Sequence, residues 1–196
     1  MSKLPALELR FATPPDWLRA VESDVDAFLQ DHAANERKVC HSALTLAAQY
    51  PGRLQLVDAS IEIAREELEH FMQVHELLKR RGRGLAQDAP DPYVGGMRRL
   101  ERKGREGLQL MDRLLIFSVV EARGYERFAI LAEGLSDASL RDFYAELARS
   151  EARHRATYLR LARNYFGAEA VAPRLSEMLD AEAELAAAQP LRAALH

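Results

Sequence analysis

The sequence predicts an all-α protein built from four long helices, and three observations carry that expectation. Ala, Leu, Glu and Arg dominate the 196 residues, and β-branched residues form no sustained runs, a composition that favours helix over strand. Breakers stand at Pro51-Gly52, Gly82, Gly134 and Gly167, with long stretches compatible with helix between them. Within those stretches apolar residues recur at alternating spacings of four and three, the rhythm of a bundle seam.

The elements follow in order. Residues 1–12 read as a short arm. Thr13-Pro14-Pro15-Asp16 is a helix start, with Thr13 or Asp16 able to cap. One helix is expected over 16–49, ended by Pro51-Gly52, and a second over 53–81, stopped by Gly82. A long connection, 82–107, contains Pro90, Pro92, Gly95, Gly96 and Gly104, with room for a short helix near Met97–Lys103. A third helix spans 108–133. After Gly134, Ser136 or Asp137 caps a fourth, which runs to Tyr165 and ends at Gly167. An Ala-rich final helix is expected over 173–188. Short loops inside each helix pair imply antiparallel neighbours, and one long crossover between pairs is the ferritin-like variant of the four-helix bundle. The expectation is a single ferritin-like domain over 1–196, with the bundle at about 16–166.

Hydrophobic residues make up 48% and charged residues 29% of the chain, an ordinary globular balance. The formal net charge of −3 gives no overall basic character, so a nucleic-acid surface would have to be local. Cys40 is the one cysteine, which rules out an intrachain disulfide and argues against a cysteine-based zinc or iron–sulfur site. No apolar leader and no run of about 20 apolar residues is present, so a cytoplasmic protein without membrane association is expected.

Each predicted seam is broken by a glutamate at its fourth position. The first helix reads Val25, Leu29, His32, Glu36, Val39, Ala43, Leu46, and the second Leu56, Ser60, Ile63, Glu67, His70, Val74, Leu77. The third reads Leu110, Leu114, Phe117, Glu121, Gly124, Phe128, Leu131, and the fourth Leu140, Tyr144, Leu147, Glu151, His154, Tyr158, Leu161. In the second and fourth helices a histidine follows the glutamate at i+3, on the same face. Glu36 to Glu67 is 31 residues and Glu121 to Glu151 is 30, so antiparallel pairing brings the carboxylates to matching levels. Buried carboxylates repel and desolvate one another at a cost of several kcal/mol, roughly, for each unpaired charge. Two divalent ions would neutralise four of them, and carboxylate with imidazole suits iron or manganese. Glu36, Glu67, His70, Glu121, Glu151 and His154 are therefore the expected metal ligands, in the carboxylate-bridged pattern of ferritin-like proteins.

The segments Asn35-Glu36-Arg37-Lys38, Glu66-Glu67-Leu68-Glu69-His70, Val120-Glu121-Ala122-Arg123 and Ser150-Glu151-Ala152-Arg153-His154 carry a narrower likeness. Over about 15–166 the chain resembles the tRNA hydroxylases that act on the prenylated, methylthiolated adenosine beside the anticodon. The resemblance implies two iron ions (Fe2+/Fe3+), O2 as co-substrate, hydroxylation of the isopentenyl group, and electrons from a separate reductase. Catalysis would then need no residue beyond the metal ligands. The substrate base lies in the anticodon stem-loop, where bases can be splayed out. The crossover supplies a local excess of positive charge, and Arg81, Arg83, Arg98, Arg99, Arg102, Lys103 and Arg105 are the candidate contacts with RNA phosphates. A solvated charged loop is the plain alternative. Tyr93 there is either a base-stacking or a packing residue.

Among other positions, His32 reads as a core-edge histidine in preference to a partner of Glu36. Glu66 and Ser150 could each hydrogen-bond a ligand histidine, Glu66 being the better candidate, with a solvent-facing residue the equal alternative. Gly124, where the neighbouring helices have histidine, makes room for oxygen or substrate, or else serves close helix packing. Cys40 reads as a small buried residue. Competing functions are a rubrerythrin-like peroxidase or ferritin-like iron oxidase, a quinone or other small-molecule hydroxylase, and a metal-free helical module whose glutamates would face water. The oligomeric state is open.

Overall fold

The computed structural model describes residues 7–104 and 106–196, Glu106 by its backbone. Among the described residues every regular element is a helix: α1 (Asp16–Ser23), α2 (Val25–Gln49), α3 (Leu54–Arg80), α4 (Pro92–Arg99), α5 (Glu106–Gly134), α6 (Ala138–Phe166) and α7 (Ala168–Ala187). They form two compact units.

The first unit holds residues 15–90 and 191–195. Its centre is the hairpin of α2 and α3, turned by Tyr50–Arg53, with Phe28, Leu29, Leu46, Leu56, Ile63 and Val74 buried. The expected helix over 16–49 is two helices. Asp24 sits at φ −150° and ψ 73°, and its carboxylate accepts a hydrogen bond from Ala27 N at 2.9 Å. An aspartate free to cap offers the backbone an alternative to continuing the helix. The break lets α1 bury Trp17 and Val21, and the Trp17 indole N–H donates to Ala194 O at 3.1 Å. At the far end of α3 the buried residue is Leu78, not Leu77, since a strict seven-residue repeat drifts against a straight helix. Gly82 takes φ 68° just past the helix end, where a left-handed residue closes the last turn.

The second unit holds residues 7–14, 91–190 and 196. Here α5 and α6 form a hairpin turned by 135–137, with Asp137 capping α6 through Ser139 N and Leu140 N. The short crossover helix is Pro92–Arg99, earlier in the chain than expected. Asp91 caps it at Val94 N, and Pro92 stands in the first turn, where its missing N–H costs nothing. The final helix starts at Ala168, not Pro173. Gly167, at φ 81°, turns the chain so sharply that α7 begins at once and buries Val171, and Pro173 is carried inside it near the exposed start. Neither Thr13 nor Asp16 caps α1; the Thr13 hydroxyl instead donates to Glu126 at 2.7 Å.

Two buried ionic groups, neither apparent from the seams, tie this unit together. Asp112, fully buried, accepts from Arg102 N, Nε and Nη2 at 2.7–2.9 Å and from Arg174 Nε and Nη2 at 3.0 Å, joining the loop before α5 to α7. Burial pushes the Asp112 carboxyl up, but these guanidinium bonds outweigh it and hold it below its usual range. Arg123 donates from Nε and Nη2 to Glu182 at 2.8 and 3.1 Å and from Nη2 to Phe11 O at 2.8 Å, and it also pairs with Glu126. Tyr93 completes the group, its hydroxyl 3.0 Å from Glu182 Oε1 and its ring stacked 4.6 Å from His196. Tyr93 is thus a packing residue, unavailable to stack on a base.

His196 Nδ1 lies 3.1 Å from Asp91. Burial would raise the Asp91 carboxyl, yet the His196 bond and charge and the Val94 and Tyr93 N–H groups bring it to about 2. A folded-state value depressed below 3.8 stabilises above that pH and is lost as pH falls towards 2. Asp91→Asn, which keeps an acceptor for Val94 N, is expected to cost roughly 2 kcal/mol near neutral pH. Urea unfolding at a series of pH values should show the gap between the two proteins closing below about pH 4.

Candidate metal centre

All six expected ligands are buried. In the first unit, α2 carries Glu36 and α3 carries Glu67 and His70, and one donor atom of each lies within 4.8 Å of the others. His70 Nδ1 is 3.5 Å from Glu36 Oε2 and 3.6 Å from Glu67 Oε2. In the second unit, α5 carries Glu121 and α6 carries Glu151 and His154, again with one donor atom each within 4.8 Å. His154 Nδ1 lies 3.9 Å from Glu151 Oε2. Each unit therefore presents the same triad of two carboxylates and one imidazole, set by one glutamate on one helix and an i, i+3 pair on its antiparallel neighbour. This burial is the reverse of what a metal-free module with glutamates facing water requires.

The electrostatics of the first triad favour positive charge among its carboxylates. Burial pulls the His70 imidazole down, but its hydrogen bonds to Glu36 and Glu67 and their charges outweigh that and push it up to about 10. Burial pushes Glu36 up, and its bonds with Glu67, His32 and His70 override this and hold it well below the usual carboxylate range. A proton on His70 partly compensates charge that a divalent ion would neutralise fully. Two carboxylates and one imidazole in each triad fit a divalent metal such as iron or manganese.

Two neighbours, His32 and Cys40, depart from the sequence expectation. His32 is fully buried, and its Nε2 lies 2.6 Å from Glu36 Oε1, so it is a partner of the ligand and not a core-edge histidine. The i, i+4 spacing carried that signal, but a histidine on an apolar seam is more often simply buried. Ser150 Oγ lies 3.4 Å from His154 Nε2 and accepts from Arg153 at 3.1 Å, so the hydroxyl preceding the ligand pair is placed to orient His154, as the sequence allowed. Cys40 is only partly buried.

The nearest atoms to a methyl group at Gly124 would be those of the Glu151 side chain, at 3.8–3.9 Å. Close helix packing does not explain this glycine. Gly124→Ala is expected to stabilise the chain by about 1 kcal/mol, since alanine is the better helix former and the contact is an ordinary one. A thermal melt of the metal-free protein checks this.

The candidate RNA contacts separate by environment. Arg81 and Arg83 are exposed and pair with Asp26. Arg98, Arg99 and Lys103 are exposed, whereas Arg102 is committed to Asp112. Arg105 lies outside the described residues. Among the described residues no helix is long and apolar enough to cross a membrane.

Comparison with known proteins agrees with this geometry. The chain is 42% identical over 183 residues to the tRNA 2-(methylsulfanyl)-N(6)-isopentenyladenosine(37) hydroxylase of Pseudomonas putida (strain KT2440), covering 92% of this chain and 88% of that protein. It is 37% identical over 173 residues to the protein of the same name from Salmonella typhimurium (strain LT2), covering 86% of this chain and 62% of that longer protein. Among solved structures it is similar to Protein 43 with aldehyde deformylating oxygenase activity from Synechococcus, with a TM-score of 0.89 and 34% identity over 96% of this chain and 94% of that one. The fold class is ferritin-like, as the helix layout implied. Residues 4–196 match the tRNA-(ms2io6A)-hydroxylase (MiaE) family, and the chain belongs to that family.

Proposed function

We propose that this chain is an O2-dependent di-iron monooxygenase that hydroxylates the isopentenyl group of the modified adenosine next to the tRNA anticodon. The observation that carries the reading is the pair of matching buried Glu–Glu–His triads in a chain of this family. Glu36, Glu67 and His70, with Glu121, Glu151 and His154, would together hold two iron ions inside one ferritin-like domain. Two ferrous ions would supply the reducing and oxygen-activating chemistry that no amino-acid side chain provides. The six side chains would neutralise the ions, fix their separation and keep the centre dry. One oxygen atom goes to the allylic carbon and the other leaves as water, with two electrons and two protons supplied through a separate reductase.

The exposed cations Arg81, Arg83, Arg98, Arg99 and Lys103 are the side chains proposed to meet the phosphates of the anticodon stem-loop. Arg102 is the weakest of that set because Asp112 holds it. A tRNA substrate and a reductase partner both suit a cytoplasmic protein. The single cysteine disfavours the rubrerythrin-like alternative with a cysteine-rich electron-transfer module.

The deciding experiment incubates iron-loaded, reduced protein with O2 and hypomodified tRNA carrying the prenylated adenosine, then weighs the nucleosides after digestion. A gain of one oxygen on that nucleoside is expected. No gain from protein shown to bind two irons and consume O2 would keep the metal centre, sink the tRNA assignment and favour an oxidase or peroxidase.

A further inference from the structure

The two triads have the same ligands but different surroundings. On α2, one turn before Glu36, fully buried His32 places Nε2 2.6 Å from Glu36 Oε1. That bond occupies one carboxylate oxygen and leaves Oε2 as the atom directed towards His70 Nδ1, 3.5 Å away. Glu36 is thereby held in one rotamer before any ion arrives. The His32 ring is itself held in the core, tilted against Phe28 at 6.0 Å.

Glu121, the corresponding ligand of the other triad, has no side-chain hydrogen bond among the described residues. Its i−4 position is Phe117, which cannot donate one. Beside this triad the i+3 position is Gly124, so the space next to Glu151 Cγ, Cδ and Oε2 holds no side-chain atom from that position. Glu36 is clamped by a neighbour on its own helix, and Glu121 is not. Preorganisation lowers the cost of binding, because an ordered side chain loses less freedom when it coordinates.

We propose that His32 is a positioning residue that presets Glu36, making the Glu36–His70 metal position tighter than the Glu121–His154 position. This rests on the di-metal reading above.

The test is metal binding to the full-length apo protein, independent of turnover. Anaerobic titration with Co(II), followed by its visible d–d bands and by dialysis with elemental analysis, is expected to show two ions per chain filling in two resolved steps. His32→Leu should weaken the tight step by about 10- to 100-fold, the range for loss of a ligand's hydrogen-bond partner, and leave the other step unchanged. His32→Gln, which keeps a donor at i, i+4, should restore the tight step to within a few-fold. Glu121→Ala should remove the weak step alone, and it reports on the asymmetry even if His32→Leu folds poorly. Two equal steps in the wild type, or a His32→Leu variant that weakens both steps alike or neither, would overturn the role of His32 and leave the di-metal reading standing. Fewer than two ions bound per wild-type chain would overturn both.

Discussion

Glu67→Ala is expected to abolish nucleoside hydroxylation, with a loss of at least about 100-fold, and to lower bound iron below two per chain. Glu67 shares its triad with Glu36 and His70, with Oε2 3.6 Å from His70 Nδ1, and it is buried. Its removal takes out a donor and also the hydrogen bond that helps to hold Glu36 ionised. Stability should respond in the opposite sense to activity. A buried acidic cluster without its metal is a burden on the fold, so the apo variant should melt at or above the temperature of the apo wild type. Metal should then separate the two proteins. At a free-ion concentration 1,000 times Kd, binding to the native state alone adds about 4 kcal/mol, which for a chain of this size raises Tm by roughly 8–16 °C. The wild type should show that shift and Glu67→Ala should lose most of it. A variant that keeps two irons and full activity would remove Glu67 from the centre.

Arg123→Met is expected to lower Tm by roughly 6–20 °C, from a loss of about 3–5 kcal/mol. Arg123 and Glu182 are both fully buried, so neither charge can fall back on water when its partner is removed. Burial works against the Arg123 cation, but Glu182 and Glu126 outweigh it and raise its proton affinity. Nearby Arg127 is pushed the other way, to about 10, by burial and by the Arg123 charge. The group holds two guanidinium ions against two carboxylates, so deleting Arg123 strands a negative charge beside Tyr93 and leaves Phe11 O without its donor. Arg123→Met combined with Glu182→Leu should recover most of the loss, because replacing a buried ion pair by apolar side chains is often nearly neutral. Equal destabilisation by the double and single variants would show that packing, not charge, is at stake. Arg123 lies two residues beyond Glu121 and ties α5 to α7 and to the chain at Phe11.

Gly134, Gly167 and Pro51-Gly52 marked the helix ends well because their backbone preferences act locally. The Asp24 break did not stand out, since an aspartate inside a helical pattern reads as an ordinary polar residue until Trp17 and Val21 need a face to bury. The same limit explains the C-terminal helix. Pro173 is a good helix start by itself, but Gly167 turns the chain first.

Sequence periodicity alone determined the helical class, the two hairpins and the six Glu and His positions of the triads, because spacing along a helix translates directly into a shared face. Only the tertiary structure decided which polar groups are partnered within the core. Arg123 meets Glu182 across 59 residues and Arg174 meets Asp112 across 62, and no local pattern encodes either pairing. His32 shows the boundary between the two. Its i, i+4 spacing to Glu36 was legible, but a carboxylate oxygen at 2.6 Å depends on rotamers, and packing around the site fixes those.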